Sequence, residues 1–209
     1  MRRPRFIAEQ ARNARGPLGR LIAFIMARET WTQNRRAIAA LEVRPTDHVL
    51  DLGCGPGRAL SVLAAHASRG RVAGADPSRL MVEVAIDRNR ELVRARRIDV
   101  AVAGVESLPF ADASFDKVLC VHVAYFWPDL DAALGEIARV LKPGGRLVLL
   151  FRTNADPVSL QSFPSEVYRF RSYDEVTAAA LRAGMAPDRQ AARSEPALLV
   201  ATRVAAPGP

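Results

Sequence analysis

The sequence predicts an α/β fold: a doubly wound, mostly parallel sheet with helices on both faces. Three observations carry that prediction. Short runs of branched apolar residues recur between residues 46 and 205, and segments of helical periodicity alternate with them. The first run passes into a glycine-rich turn and then a helix, Val49-Leu50-Asp51-Leu52-Gly53-Cys54-Gly55-Pro56-Gly57-Arg58. The first two runs each carry an acid at their end, Asp51 and Asp76, which puts charge where an open sheet holds its ligand.

The elements follow in order. Residues 1–16 are polar and basic and are expected to be loosely helical or partly disordered. Gly16 and Pro17 break the chain. Leu18, Leu21, Ile22, Ile25 and Met26 then keep helical spacing, predicting an amphipathic helix whose apolar face packs on the body. Thr30-Trp31-Thr32 interrupts it, and a second helix over residues 33–41 offers Ala37, Ile38 and Leu41. Residues 1–45 thus form a helical extension to one domain over residues 46–205.

Within that domain, strand 49–52 leads to helix 58–67, and strand 72–76 leads to helix 78–94 with Ser78 as its N-cap. Strand 98–103 runs into a loop at 106–113. Strand 115–121 precedes helix 130–141, whose Leu130, Leu134, Ile137 and Leu141 share a face. Lys142-Pro143-Gly144-Gly145 stops that helix before strand 146–151. Residues 154–171 read as an irregular, aromatic-bearing connection. Ser172-x-x-Glu175 is a capping box that opens a helix to about residue 183, and Gly184 ends it. Strands near 188–193 and 197–203 complete a set of seven.

Composition bounds the function. A chain of 209 residues supports one domain with a full core. The net charge is +8, and residues 1–44 hold ten arginines against three acids. Such an arm attracts nucleic acid, anionic lipid or an acidic substrate, or is simply a solvated helical face. Cys54 and Cys120 are the only cysteines, too few for a disulfide framework, and read as small core thiols. No apolar run approaches the ~20 residues that span a bilayer. The expected setting is the cytoplasm, with no metal.

Spacing narrows the ligand. The turn reads G-x-G-x-G, and Arg58 stands where a dinucleotide fingerprint has its last glycine. Asp51 disfavours a phosphate in the turn and welcomes a cation. Asp76 lies 25 residues further on, at the end of the second strand, where an acid holds ribose hydroxyls. The pattern suits a positively charged nucleoside.

VLDLGCGPG, VAGADPS, ESLPF, SFDKVLCV and RVLKPGGRLVL occur in that order between Asp47 and Thr153. This segment resembles the class I S-adenosylmethionine (SAM)-dependent methyltransferases, and within them the small-molecule enzymes similar to the ubiquinone-biosynthesis C-methyltransferases. The resemblance implies a Rossmann-like seven-stranded sheet with a terminal antiparallel strand, an N-terminal helical lid, SAM as donor and S-adenosylhomocysteine as product. It implies that Asp51, Gly53, Cys54, Gly55 and Gly57 surround the methionine part of SAM, that Asp76 and Pro77 border the ribose, and that Met81, Val105, Glu106 and Val121 border the rest. Relatives often carry an aspartate where this chain has Gly104, so the contact to the adenine amino group either comes from elsewhere, with Glu106 the candidate, or is absent.

On the acceptor side, Trp31 and Asn34 are expected to face the pocket from the lid. His122 is the candidate base, or else a residue that orients substrate or packs. Tyr125, Phe126 and Trp127 form an acceptor wall or a wedge for the following helix; Tyr125 is the foremost pocket candidate of the three, and Phe126 a further acceptor contact. Methyl transfer to a small, partly apolar molecule is the reading favoured. The alternatives are an RNA methyltransferase using the basic arm and a non-catalytic SAM-binding regulator. Against RNA, the segment Cys120-Val121-His122-Val123 carries no Asn/Asp-Pro-Pro-aromatic motif, and neither cysteine follows a proline.

Overall fold

The computed structural model describes residues 4–188 and 194–205. Its strands are β1 (His48–Leu52), β2 (Arg71–Asp76), β3 (Ile98–Val102), β4 (Phe115–Val121), β5 (Leu141–Phe151), β6 (Met185–Pro187) and β7 (Ala197–Arg203). They form one sheet in the order β3-β2-β1-β4-β5-β7-β6. The first five pair in parallel, and β7 runs antiparallel to both β5 and β6. This is the doubly wound sheet with an antiparallel end that the sequence predicts.

Alternation along the strands sorts the core into two layers. Leu50, Leu52, Val118, Cys120, Leu147 and Leu149 face α7 (Leu130–Val140) and α9 (Tyr173–Arg182). Val49, Leu119, Val148 and Leu150 face α3 (Trp31–Leu41) and α4 (Arg58–His66). The helix stripes answer them: Leu134 and Ile137 of α7, and Ile38 and Leu41 of α3, are buried. Ser172 and Glu175 close the predicted capping box on α9, and Gly184 turns the chain with φ 74°.

Six elements differ from expectation by more than a residue or two at an end. One is β5, which begins at Leu141 and not at 146, so residues 142–145 belong to the strand and do not separate it from α7. Residues 5–12 form a full helix, α1 (Arg5–Arg12), ahead of α2 (Gly16–Glu29). The α2 stripe does not pack on the body as a whole: Ile22 is buried, but Leu18, Leu21 and Ile25 are exposed. The expected helix 78–94 divides into α5 (Arg79–Arg88) and α6 (Arg90–Arg94). Asn89 breaks it because its side-chain amide turns back to donate to the Ala85 carbonyl at 2.8 Å and to the Gly57 carbonyl at 3.0 Å. The 154–171 connection contains α8 (Pro157–Ser162), capped by the Asp156 carboxylate. The sixth strand begins at Met185, directly after Gly184, because the fully buried Met185 side chain anchors it there. Of the strand expected at 188–193, Asp188 is outside β6 and residues 189–193 lie outside the described residues.

Ser78 links the body to α1 and α2. Its hydroxyl caps α5 by accepting from Met81 N–H at 3.3 Å, and donates at 2.6 Å to the Ala14 carbonyl between α1 and α2. Replacing Ser78 with Ala removes both bonds. We expect a loss of about 1–2 kcal/mol in urea-unfolding free energy. An unshifted midpoint would mean that neither bond contributes.

Candidate active site

Strand order reverses between β1 and β4, so the connections leaving their carboxyl ends run apart and leave a crevice. A cavity of about 450 Å³ occupies it, within the usual range for a small-molecule site. The glycine turn after β1 and the end of β2 form its floor, the segment after β4 forms a side wall, and α1–α3 cover it.

Backbone bonds fix the turn. The N–H groups of Gly53 and Cys54 both donate to the Ala75 carbonyl, at 2.7 and 3.2 Å. Gly55 N–H donates to the Asp76 carboxylate at 2.9 Å. Two glycines are needed for different reasons. Gly57 has φ 72°, and a Cβ there would lie 2.9 Å from the Ala85 Cα, so α5 packs against bare backbone. Gly55 has φ 52° and nothing within 4 Å of its missing Cβ, so its backbone borders open space.

Asp51 and Asp76 are both buried on the cavity floor. Asp76 is occupied by the backbone: one oxygen accepts from Gly55 N–H and the other from Ser78 N–H at 2.9 Å. Burial raises its pKa, and these two bonds pull the other way. No described residue hydrogen-bonds the Asp51 carboxylate. Burial first, and the charge of Asp76 second, push its pKa up to about 7. A buried acid in this state is stabilised by a cation placed beside it. Burial also raises the Cys54 and Cys120 thiols, so neither is a thiolate at neutral pH.

The side wall is aromatic. His122 leaves β4 with φ 60°, an uncommon conformation for a residue with a side chain. Its Nε2 meets the Gln33 side-chain carbonyl of α3, and its Nδ1 meets the Tyr125 hydroxyl. Gln33 accepts, so Nε2 carries the proton and Nδ1 accepts from Tyr125. Burial, aided by the Arg152 charge, lowers the His122 pKa to about 3. Burial raises that of Tyr125. Tyr125 packs with Phe126, Tyr168 and Phe170 at centroid distances of 5.1–5.6 Å.

The cavity brings together all the remaining sequence candidates except Gly57. Trp31 and Asn34 line it from α3, and Pro77, Met81, Val105, Glu106, Val121 and Phe126 from the body. Trp31 lies under the Arg58 guanidinium, 4.0 Å from ring centroid to Cζ, which ties α3 to the start of α4. Gly57 braces the turn from behind. Trp127 is buried and also reaches the lining. At Gly104 a Cβ would lie 2.3 Å from Glu106 Oε2, so the Glu106 carboxylate fills the space a side chain at 104 would enter. The sequence reading missed Gln33, Asn89 and the second bond of Ser78. Only the i, i+4 relation of Ala85 to Asn89 left a local trace of any of them.

Comparison with known proteins agrees with this geometry. A family model described as a methyltransferase domain matches residues 50–149. Methyltransferase GfsG of Streptomyces halstedii is 40% identical over 109 residues, 52% of this chain and 39% of that protein. The ubiquinone/menaquinone biosynthesis C-methyltransferase UbiE of Geotalea daltonii is 36% identical over 134 residues, 64% of this chain and 56% of that one. The chain thus spans about half the length, or less, of these curated relatives. The crystal structure of the YcgJ protein from Bacillus subtilis superposes with TM-score 0.63 at 30% identity, covering 74% of this chain and 68% of that one.

Asp51 makes the site costly to fold. Its folded pKa of about 7 lies above the ordinary 3.8, so the unfolded chain releases this proton first as pH rises. Stability is therefore lost between about pH 4 and pH 7. We expect Asp51→Asn to raise the unfolding free energy at pH 8, on the order of 2 kcal/mol or more, and by clearly less at pH 5. Urea titrations at both values decide it: an equal gain at both would show that this carboxyl does not titrate in that window.

Proposed function

The chain belongs to the class I SAM-dependent methyltransferases, and on that premise we propose that it methylates a small, partly apolar molecule and releases S-adenosylhomocysteine. The observation that carries the reading is the cavity floor. Asp51, a buried carboxylate with no hydrogen-bond partner among the described residues, and bare backbone at Gly55 line one cavity with an aromatic wall. That floor fits a cationic nucleoside.

In this reading Asp51 faces the ammonium and sulfonium end of SAM, with Gly53, Cys54, Gly55 and Gly57 shaping the space for its methionine part. Asp76 and Pro77 border the ribose. Met81 and Val121 supply apolar walls, and Val105 and Glu106 take the adenine edge. Bound SAM supplies an activated methyl group, so the chain's task is to align the acceptor and exclude water. Alignment alone is worth about 7–11 kcal/mol. Trp31, Asn34, Tyr125 and Phe126 border the acceptor. His122 is a positioning group here: held neutral, it locks Gln33 of the cover and Tyr125 of the wall into one hydrogen-bonded unit. The names of the relatives, a quinone-biosynthesis C-methyltransferase among them, support a small acceptor. Among the described residues no helix is long and apolar enough to cross a membrane.

The test incubates methyl-labelled SAM with the protein and a cell extract, then counts the small-molecule, protein and RNA fractions. Label in a small molecule is expected. Label in RNA would overturn the acceptor class, and SAM binding with no label anywhere would favour the regulator. Asp76→Ala is expected to weaken SAM binding at least about tenfold while circular dichroism stays native. Unchanged affinity would remove Asp76 from the donor site.

A further inference from the structure

We propose that the outer face of α1 and α2 docks on an anionic lipid bilayer. The 14-residue α2 has two apolar faces. Gly19 and Ile22 are buried, and Ala23, Met26 and Ala27 line the cavity. The other face carries Leu18, Leu21, Phe24 and Ile25, each between 46% and 56% exposed, and Phe6 of α1 is 54% exposed. Single exposed apolar residues are ordinary. Four within eight positions of one helix form a patch that calls for a partner.

Charge identifies the partner. Arg12, Arg15, Arg20 and Arg28 are exposed on the same two helices and the turn between them. Arg28 follows Leu21 by seven residues and Phe24 by four, so it shares their face. The only acids in α1 and α2 are Glu9, which pairs with Arg5 at 2.8 Å, and Glu29 at the end of α2. A second copy of this face would bring arginines against arginines. RNA would pair the arginines and leave the leucines and phenylalanine in water. A bilayer with acidic headgroups satisfies both sets at once, with acyl chains beneath the apolar residues and phosphates beside the guanidiniums. The helix then lies in the plane of the interface.

The opposite side of the same helix closes the cavity, so docking sets the cavity cover against the bilayer and favours an acceptor dissolved in it. That last step rests on the methyl-transfer reading; the docking does not.

The experiment sediments the full chain with vesicles of phosphatidylcholine containing a minority of phosphatidylglycerol, and with pure phosphatidylcholine. Binding to the anionic vesicles is expected, weaker without phosphatidylglycerol and weaker in high salt. Leu21→Ser with Phe24→Ser, and separately Arg20→Glu with Arg28→Glu, should each cut the partition coefficient at least about tenfold. Neither pair lines the cavity, and both should keep native circular dichroism. Three outcomes overturn the proposal: no sedimentation with anionic vesicles at low salt, sedimentation that the serine pair leaves unchanged, or a solution dimer that the serine pair abolishes. RNA binding without vesicle binding overturns it as well. None of these readings depends on methyl transfer, so failure here and failure of the enzymatic reading are distinct.

Discussion

Both oxygens of the Asp76 carboxylate accept backbone N–H groups, one from Gly55 in the turn after β1 and one from Ser78 at the start of α5. Charge-assisted bonds of this kind are among the stronger ones available inside a protein. Here they hold two successive strand–helix connections in one arrangement. Ser78 passes the constraint onward through its hydroxyl to the Ala14 carbonyl of the cover. On the far side of the turn, Asn89 braces the Gly57 carbonyl. The turn is thus held from two sides, and the backbone between, at Gly55, stays bare toward the cavity.

That arrangement places a second acid where the protein does little to stabilise it. Asp51 sits in β1 opposite Gly74 and Leu119, in a strand whose Val49, Leu50 and Leu52 serve the core. An apolar side chain there would fold more easily. The acid is buried, feels the charge of Asp76, and has no hydrogen bond from any described residue. The expense in stability has a return only in binding something positive. This is the familiar conflict between a site's chemistry and the fold that carries it.

Much of this was legible in the sequence because it is local. The apolar runs, the Ser78 cap, the Ser172–Glu175 box and the glycine turn each announce themselves within a few residues, and apart from the starts of β5 and β6 each is where it was expected. What was not legible depends on distant neighbours. Gln33 reaches His122 across 89 positions, and Asn89 reaches Gly57 across 32. No periodicity encodes either. The α2 stripe shows the opposite limit: spacing reveals that a face is apolar but not what covers it.

The cover of the cavity joins two unlike pieces. The α3 helix is fixed by apolar contact, with Ala37, Ile38 and Leu41 buried against the sheet. The pair α1–α2 has a thinner base: Ala8, Ala14, Gly19 and Ile22 are its buried residues among those described, and one of its bonds to the body is the Ser78 hydroxyl on Ala14. Such a bond contributes about 0.5–1.5 kcal/mol net, because water replaces it on opening. The two pieces meet at Thr30, which caps α2 at φ −87°, ψ 2° and starts α3. One half of the cover therefore shares the stability of the core, and the other is held largely by contacts that solvent, or a surface to which its outer face binds, can exchange.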